Sequence, residues 1–252
     1  MIVPGSGRSA CVFVSEDDSS PEDEREERIR VVRVACEAAF ERLGDRVRLM
    51  QALPDPREQT AIDAFAGAGF VSVGTLMYLA GPLPPKMRQV PMPAGCFAQS
   101  LGRVNGDASL RSRICALLDR TYAGTLDCPE LCGLRDTGDV LDSHLSAGKY
   151  KPGLWLILTK AGEDLGCCFL NVTSGGSGAE LVYLGLVPEA RGRGLAKALL
   201  STALQRVAGH GAHEVCCAVD ERNAPAIRLY TDFGLSPIGT RIALVLPRPD
   251  RG

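Results

Sequence analysis

The chain has 252 residues, of which 45% are hydrophobic and 23% are charged. This composition is typical of a globular protein, so it excludes a disordered chain, a collagen-like repeat and a disulfide-stapled miniprotein, and the length fits one large domain or two modest ones. The 28 basic and 30 acidic residues give a formal net charge of −2. No chain-wide field would therefore hold nucleic acid or an anionic membrane, and any anion site has to be local.

The first third of the chain alternates helical and extended patterns. Apolar residues at helical spacing predict a helix over residues 28–43, which Gly44 ends. The acidic stretch 15–27 before it predicts a solvated loop. The elements predicted next are a strand over residues 47–53, a helix over 57–68 and a strand over 70–79.

A proline-rich stretch separates this part from the rest of the chain. Its prolines cannot sustain a helix or a sheet, so residues 86–96 are predicted to form a linker. Beyond the linker, hairpins and helices alternate, which predicts the α/β (α+β) class. The elements predicted there are a helix over residues 109–122, a short helix near Val140, strands over 154–159, 165–172 and 180–187, a helix over 195–208, a strand over 214–219, a helix over 225–233 and a strand over 238–246.

One sequence offset relates the two parts of the chain. Gly69 and Gly234, which each follow a predicted helix, lie 165 positions apart, and the same offset pairs Phe65 with Tyr230. The offset relates a helix, a strand, a helix and a strand of the first part to the same four elements of the second part, in the same order. This predicts a duplicated unit. The alternative is two ordinary units that share glycine turns. Further pairs at this offset are Gly44 with Gly209, Ala61 with Ala226 and Gly74 with Gly239.

The ten cysteines predict buried thiols rather than disulfides. Two adjacent pairs, which begin at Cys167 and Cys216, lie inside apolar strand-like runs, where a reduced cysteine acts as a small hydrophobic residue. Cys128 and Cys132 have a spacing that suits two metal ligands. No second cysteine pair or histidine pair completes such a site, so no metal is predicted.

Targeting signals are absent from the sequence pattern. The first residues have neither a basic region nor an apolar region of the kind found in signal peptides, and no apolar run is long enough to span a bilayer. We therefore expect a cytoplasmic protein that binds neither a membrane nor nucleic acid.

The most informative stretch is a predicted strand that runs into a loop of two glycines and two arginines and then into a helix. The loop reads Arg191-Gly192-Arg193-Gly194. The first turn of a helix has unpaired N–H groups and a positive dipole end, so it binds phosphate well. The glycines allow positive φ and the arginines add charge-assisted hydrogen bonds. No Walker Gly-Lys-Ser/Thr is present, and Lys197 stands where a dinucleotide fingerprint needs glycine.

Two motifs in this part of the chain resemble those of the GNAT superfamily of N-acetyltransferases. Arg191-x-x-Gly194-x-Ala196 is similar to the family's pyrophosphate-binding pattern at a strand-to-helix junction. Downstream, Asn223-Ala-Pro-Ala-Ile-Arg-Leu-Tyr230 resembles the family's Asn-x-x-Ala-x-x-Leu-Tyr run. The order and separation of the motifs match, with a predicted strand between them. The resemblance implies a mixed, mostly antiparallel sheet flanked by helices, preceded by a partial second GNAT-like unit.

The resemblance also implies a reaction and a set of site residues. Acetyl-CoA would donate an acetyl group to a primary amine that attacks it directly. Tyr230 would protonate the departing thiolate, and Glu180, eleven positions before Arg191, would act as the base. The alternatives are that Tyr230 is a core aromatic residue and that Glu180 is a solvated residue at the start of a strand. The implied cofactor-binding residues are Leu184, Gly185, Leu186, Arg191, Gly192, Arg193, Gly194, Leu195, Ala196, Lys197 and Asn223.

The acceptor is expected to be a small-molecule or peptide amine. Asp127 and Glu130 lie where the family often selects its substrate and could hold a cationic amine, although loop acids are also often merely solvated. Residues 97–252 would be the catalytic domain of a monomer or homodimer, and residues 1–85 a degenerate half-unit without a cofactor motif. The alternative function is a non-catalytic acyl-CoA-binding sensor or scaffold.

Overall fold

The strands of the computed structural model form one continuous sheet, and the structure describes residues 1–15, 22–84, 87 and 89–249. Residues 16–21 of the predicted acidic loop and part of the predicted linker therefore lie outside the described residues, and residues 22–27 of that loop are helical. The strands are β1 (Ile2–Pro4), β2 (Ser9–Val12), β3 (Leu49–Ala52), β4 (Val71–Pro82), β5 (Cys96–Ser100), β6 (Trp155–Lys160), β7 (Glu163–Val172), β8 (Gly178–Leu186), β9 (Glu214–Asp220) and β10 (Ser236–Pro247).

The helices follow the expected order along the chain. They are α1 (Glu22–Leu43), α2 (Gln59–Gly67), α3 (Ala108–Tyr122), α4 (Thr137–Ser146), α5 (Leu195–Gly209) and α6 (Ala224–Asp232). The α1 helix begins six residues before the predicted start, and the other predicted helices agree within a few residues. In the part of the chain that the structure describes, no helix combines the length and apolar character needed to cross a membrane.

The sheet is mixed and mostly antiparallel, as expected. Its strand order is β1-β2-β3-β10-β4-β9-β8-β7-β6-β5, and only the β2–β3 and β8–β9 pairs are parallel. The sequence predicted neither of the two N-terminal strands nor β5, because these three are only three to five residues long. Strand β5 begins at Cys96, so the last residue of the predicted linker belongs to the sheet. Val90, inside that linker, donates its N–H to Ser201 Oγ of α5 at 3.0 Å.

The two repeats consist of α1, β3, α2 and β4 and of α5, β9, α6 and β10. They exchange their last strands. Strand β4, from the first repeat, lies between β9 and β10, and β10, from the second repeat, pairs with β3 of the first. The registers obey the 165-residue offset: Leu79 faces Cys217, and its equivalent Leu244 faces Ala52. Leu76 faces its own equivalent, Arg241, at the centre of the sheet. The predicted boundary near residue 85 therefore separates the repeats along the chain but not in space.

Each of the two large hydrophobic cores contains residues from both repeats. The larger core surrounds Trp155 and Phe169 and includes Leu79 of β4, while the smaller one surrounds Phe65 and includes Leu244 of β10. Each repeat therefore buries a leucine from the last strand of the other. Because burying a leucine side chain contributes about 1.5–3 kcal/mol, neither repeat has a complete core without its neighbour.

Candidate active site

Strands β8 and β9 diverge after a short parallel pairing. Their register runs only from Gly178 opposite Glu214 to Glu180 opposite Cys216, whereas β8 continues to Leu186. On its other side β8 remains paired with β7 up to Leu186. The second half of β8 therefore has main-chain groups that face a gap instead of a strand, and such groups can bind an extended ligand.

A cleft of about 450 Å³ begins at this gap. It extends from the loop between β8 and α5, past the start of α6, to the loop that follows α3. It is lined by Thr121, Gly124, Thr125, Leu126, Asp127, Leu181, Val182, Tyr183, Leu184, Gly185, Leu186, Arg191, Gly192, Ala196, Ala218, Asn223, Pro225, Ala226, Leu229 and Tyr230. The structure thus brings together most of the predicted site residues from five separate segments of the chain.

The loop before α5 is shaped to receive an anion. Gly192 and Gly194 have φ of 71° and 73°, and no atom lies within 4 Å of the Cβ that either would carry as another residue. Gly194 is the N-cap of α5 and has no side-chain cap, and the N–H of Ala198 makes the bond to its carbonyl. The N–H groups of the first turn thus have no partner inside the helix. They are available to a phosphate group at the positive end of the helix dipole.

The side chain of Arg191 is used inside the protein. Its guanidinium donates to the carbonyls of Leu186 at 3.1 Å, Gly124 at 2.9 Å and Thr121 at 2.8 Å. These bonds hold the loop before α5, here called the phosphate loop (residues 191–194), against the end of α3 and the end of β8. Three N–H groups of the guanidinium thus position the loop, and its contact with an anion stays a prediction for the remaining two.

Replacing Arg191 with alanine is expected to lower the free energy of unfolding by about 2–4 kcal/mol, because three carbonyls lose a charged donor. Chemical denaturation measures this loss. The matched control is Arg193→Ala, which removes the same side chain from an exposed position two residues away and should change stability by less than about 0.5 kcal/mol. Equal stability of the two variants would contradict the positioning role.

The other predicted residues of this loop differ in what they can offer. Ala196 lines the cleft, whereas the side chain of Leu195 is buried in the larger core, so Leu195 can contribute only its backbone. Lys197 Nζ lies 2.6 Å from Asp232 Oδ2 of α6 in an exposed ion pair. Arg193 is exposed and lies outside the residues that line the cleft.

Asn223 begins α6 and reaches the cleft. Its Oδ1 accepts a hydrogen bond from the N–H of Ala226 at 3.3 Å, which caps the helix. Its side chain also lies near Asp127 and acts to lower the pKa of that carboxyl group. The predicted cofactor contact of Asn223 therefore coexists with a structural one.

Tyr230 lies at the inner end of the cleft, with 7% of its surface exposed. Burial raises its pKa well above the ordinary value, and the nearby Cys217 and Asp127 groups act in the same direction. The phenol therefore stays protonated at neutral pH and can donate a proton.

Glu180 occupies the last paired position before β8 and β9 diverge. It is half-buried, and burial raises its pKa. Its cross-strand partner Asn171 bonds carbonyls of the α4 end, so both side chains face the side of the sheet that carries α3 and α4. Glu180 is outside the residues that line the cleft, so it reaches the reacting groups only from the edge of the site.

The two predicted acceptor-binding acids have different surroundings. Asp127 lines the cleft; although the residue as a whole is exposed, burial of its carboxyl group raises its pKa. Glu130 instead forms a bidentate ion pair with Arg222, at 2.7 and 2.8 Å, which lowers the pKa of Glu130. The expectation that Glu130 binds a substrate amine is therefore corrected: its charge is already paired.

The sequence did not single out Tyr183 and Thr121 of the cleft. The hydroxyl of Tyr183 lies 2.6 Å from Thr121 Oγ1, which joins β8 to α3. The available signal was the position of Tyr183 between Glu180 and Gly185 on the same strand. Within residues 1–15, 22–84, 87 and 89–249, no cluster of acidic, histidine and cysteine side chains suits a metal ion.

Comparison with known proteins agrees with this geometry. The family model described as Acetyltransferase (GNAT) family matches residues 120–235, which include the phosphate loop, both diverging strands and Tyr230. The chain therefore contains a GNAT domain. The match begins in α3 and ends just before β10.

Curated relatives of the chain are named mycothiol acetyltransferase. One from Nocardioides sp. is 27% identical over 184 residues, which are 67% of this chain and 59% of the relative. Another from Clavibacter michiganensis is 36% identical over 141 residues, which are 56% of this chain and 42% of the relative. The chain thus spans about half the length of the curated relatives it matches.

Solved GNAT structures share the whole fold. A GCN5-related N-acetyltransferase from Sphaerobacter thermophilus superimposes with a TM-score of 0.66 at 18% identity, covering 98% of this chain and 76% of that one. A tandem GNAT protein from the clavulanic acid biosynthesis pathway gives 0.60 at 16% identity, covering 97% and 77%. These likenesses cover nearly all of this chain, so the shared fold includes both repeats.

Proposed function

We propose that the chain is an acyl-CoA-dependent N-acyltransferase that moves the acetyl group of acetyl-CoA to a primary amine. The observation that carries this proposal is the joining of two features in one cleft: the uncapped start of α5 and the free edge of β8. The first suits a pyrophosphate and the second suits an extended amide-containing arm. The relatives' name, which states acetyl transfer, supports the same reaction.

Both backbone groups and side chains would bind acetyl-CoA. The N–H groups from Gly192 to Lys197 would hold the pyrophosphate. Main-chain groups of Leu184, Gly185 and Leu186 would pair with the pantetheine arm, and Asn223 would contact it from the other side. Acetyl-CoA supplies the activated thioester. Most of this binding is by backbone groups, which are already fixed by β7 and α5 and so lose little entropy on binding.

The transfer needs one proton donor and one proton acceptor. The amine nitrogen forms a bond to the acetyl carbon, the bond from that carbon to sulfur breaks, and the thiolate leaves. Tyr230, whose phenol is protonated and lines the cleft, would protonate the thiolate. Glu180 would take the proton that the amine nitrogen loses, through water, because it lies at the edge of the site.

The pH dependence of turnover tests the role of Glu180. Only the carboxylate accepts a proton, so kcat/KM should fall as the pH decreases through the raised pKa of Glu180. Glu180→Gln should lower kcat by about 10²-fold and remove this acidic limb. Glu214→Gln, on the exposed start of β9, is the control. An unchanged profile in Glu180→Gln would exclude it as the base.

A screen for turnover tests the function itself. Glucosamine, tyramine and a lysine-containing dipeptide are each incubated with acetyl-CoA, free thiol is measured, and the acetylated amine is identified by mass spectrometry. We expect thiol release that depends on one of these amines. Acetyl-CoA binding without turnover by any amine would favour the sensor or scaffold.

The N-terminal repeat is proposed to lack cofactor binding. The first turns of α1 carry Glu22, Asp23 and Glu24 and the following residues add further acids, so the helix start would repel a pyrophosphate. Residues 1–85 would then serve as a structural half-unit, and residues 97–252 would carry the chemistry.

A further inference from the structure

An ion network centred on the buried Asp220 lies beside the cleft, and its other two members, Arg222 and Glu130, are partly exposed. Asp220, the last residue of β9, has no exposed surface. Its Oδ2 lies 2.6 Å from Arg222 Nη2 and accepts the N–H of Cys128 at 3.0 Å. Arg222 in turn holds Glu130 in the bidentate pair. The loop after α3 is thereby fixed to the turn between β9 and α6.

The first repeat completes this network through β4. Arg222 Nη2 donates to the carbonyl of Val73 at 3.1 Å, and the N–H of Glu221 donates to the carbonyl of Thr75 at 2.9 Å. Between them, Gly74 has a φ of +146°, and a Cβ there would lie 2.9 Å from Asp220 Oδ2 and 3.1 Å from Arg222 Nη2. Only glycine allows β4 to approach the ion pair this closely.

The network fixes one carboxyl group of the cleft. Asp127 Oδ1 accepts the N–H of Asp220 at 2.8 Å, and the side chain of Asn223 is near enough to act to lower the pKa of that carboxyl group. Asp127 therefore cannot rotate freely as an exposed loop acid would. It is close enough to Tyr230 and Tyr183 for its charge to raise the pKa of both phenols. An acid is thus fixed at the end of the cleft where acyl transfer would occur.

We propose that the first repeat is part of the acceptor site: Gly74 and Val73 hold the Asp220–Arg222–Glu130 network, which positions Asp127 to bind the ammonium group of the acceptor. This inference rests on the proposed acetyltransferase function and names its substrate class, a primary amine that arrives as a cation and releases one proton to solvent before its nitrogen attacks the thioester. Asp127 binds the acceptor, and the three network residues are positioning residues.

The charge balance of the network supports this assignment. Asp220 and Glu130 share the single cation Arg222, so both carboxylates are neutralised in part within the network. Among the described residues, the hydrogen bond that the Asp127 carboxyl accepts comes from a neutral N–H, and the nearby Asn223 amide is also neutral. Its negative charge is therefore the one in this group that a cationic ligand can still neutralise.

The two repeats provide a matched pair of variants. Gly74→Ala pushes a methyl group against the ion pair, whereas Gly239→Ala, at the equivalent position of β10, meets no atom within 4 Å. With the most active amine of the panel, Gly74→Ala should raise the KM for the amine about 10- to 100-fold and leave the Kd for acetyl-CoA unchanged. Gly239→Ala should change neither quantity.

A second pair keeps the test decisive if Gly74→Ala does not fold. Glu130→Gln removes one charge from an exposed side chain, and Asp127→Asn removes the proposed contact itself. Both should raise the KM for the amine, Asp127→Asn by more. In carboxyl ¹³C NMR titrations, Glu130→Gln should also shift the pKa of Asp127 upward, because the loop that carries Asp127 is then held less firmly against the Asp220 N–H, whose hydrogen bond acts to lower that pKa.

The outcomes separate this inference from the proposed function. Loss of acetyl-CoA binding in the unmodified protein would overturn both. Normal acetyl-CoA binding and turnover, with the same amine KM in Asp127→Asn, Glu130→Gln and the unmodified protein, would overturn the positioning of Asp127 and leave the acetyltransferase intact. If Gly74→Ala raised the KM for the amine and the KM for acetyl-CoA equally, the variant would be damaged in general. That result would also contradict the positioning of Asp127.

Discussion

Gly194→Val is expected to weaken acetyl-CoA binding at least about 100-fold. Gly194 has a φ of 73°, and a β-branched residue in that conformation is a genuine outlier, so valine would force the backbone out of its shape. The first N–H groups of α5 would then no longer converge on one point, and the new side chain would occupy the space where the pyrophosphate binds. Calorimetric titration of acetyl-CoA measures the loss.

The control for this variant is Gly211→Val. Gly211 has a φ of 89°, no atom lies within 4 Å of its would-be Cβ, and it follows the other end of α5. It therefore carries comparable backbone strain without touching the loop, and its acetyl-CoA affinity should match that of the unmodified protein. Wild-type affinity in Gly194→Val would refute the loop as the anion site, and equal losses in both variants would attribute the effect to strain alone.

Tyr230→Phe is expected to reduce kcat about 10²–10³-fold and to leave acetyl-CoA affinity within about threefold. Phenylalanine keeps the ring that packs in the core and removes only the proton donor. Phe65 fills the equivalent position of the first repeat, so the fold accepts an apolar ring there. Because burial keeps the phenol protonated, the loss should be present across the neutral range and not only at high pH.

Tyr150→Phe controls for the loss of a tyrosine hydroxyl. That hydroxyl donates to the carbonyl of Gly102 at 3.0 Å, and Tyr150 is outside the residues that line the cleft. Its variant should keep wild-type kcat. Turnover of Tyr230→Phe equal to that of Tyr150→Phe at every pH would remove the proton-donor role of Tyr230.

The local features of the site could be predicted from the sequence because their causes are local. Gly192 and Gly194 permit the turn, and the helix that follows supplies the N–H groups, so a short motif was sufficient. The duplication was also visible, because glycines that end equivalent helices recur at a fixed spacing. The structure adds that the same offset governs strand register, as Leu79 and Leu244 illustrate.

Other features depend on residues that are distant in the chain. Glu130 was predicted to bind substrate, but it forms an ion pair with Arg222, which lies 92 positions away. No local sequence pattern predicts that pair. Arg191 has the right residue type for an anion, yet carbonyls of Thr121 and Gly124 occupy part of its guanidinium. In both cases tertiary packing decides which charges remain available for a ligand.

The exchange of β4 and β10 could not be predicted from the sequence either. Both strands read as ordinary ends of a repeat, and each could have paired within its own unit. The exchange places Gly74 of the first repeat beside Asp220 of the second. A domain boundary drawn near residue 85 could not have revealed that contact.

The most direct test of the account is a calorimetric titration of the unmodified protein with acetyl-CoA. We expect one binding event per chain with a micromolar Kd, because the loop before α5 has two positive-φ glycines and a helix start without a side-chain cap, whereas the acidic sequence before and into α1 would repel an anion. Undetectable binding would contradict the acetyltransferase assignment. Two equivalent sites per chain would contradict the division into one active and one degenerate repeat.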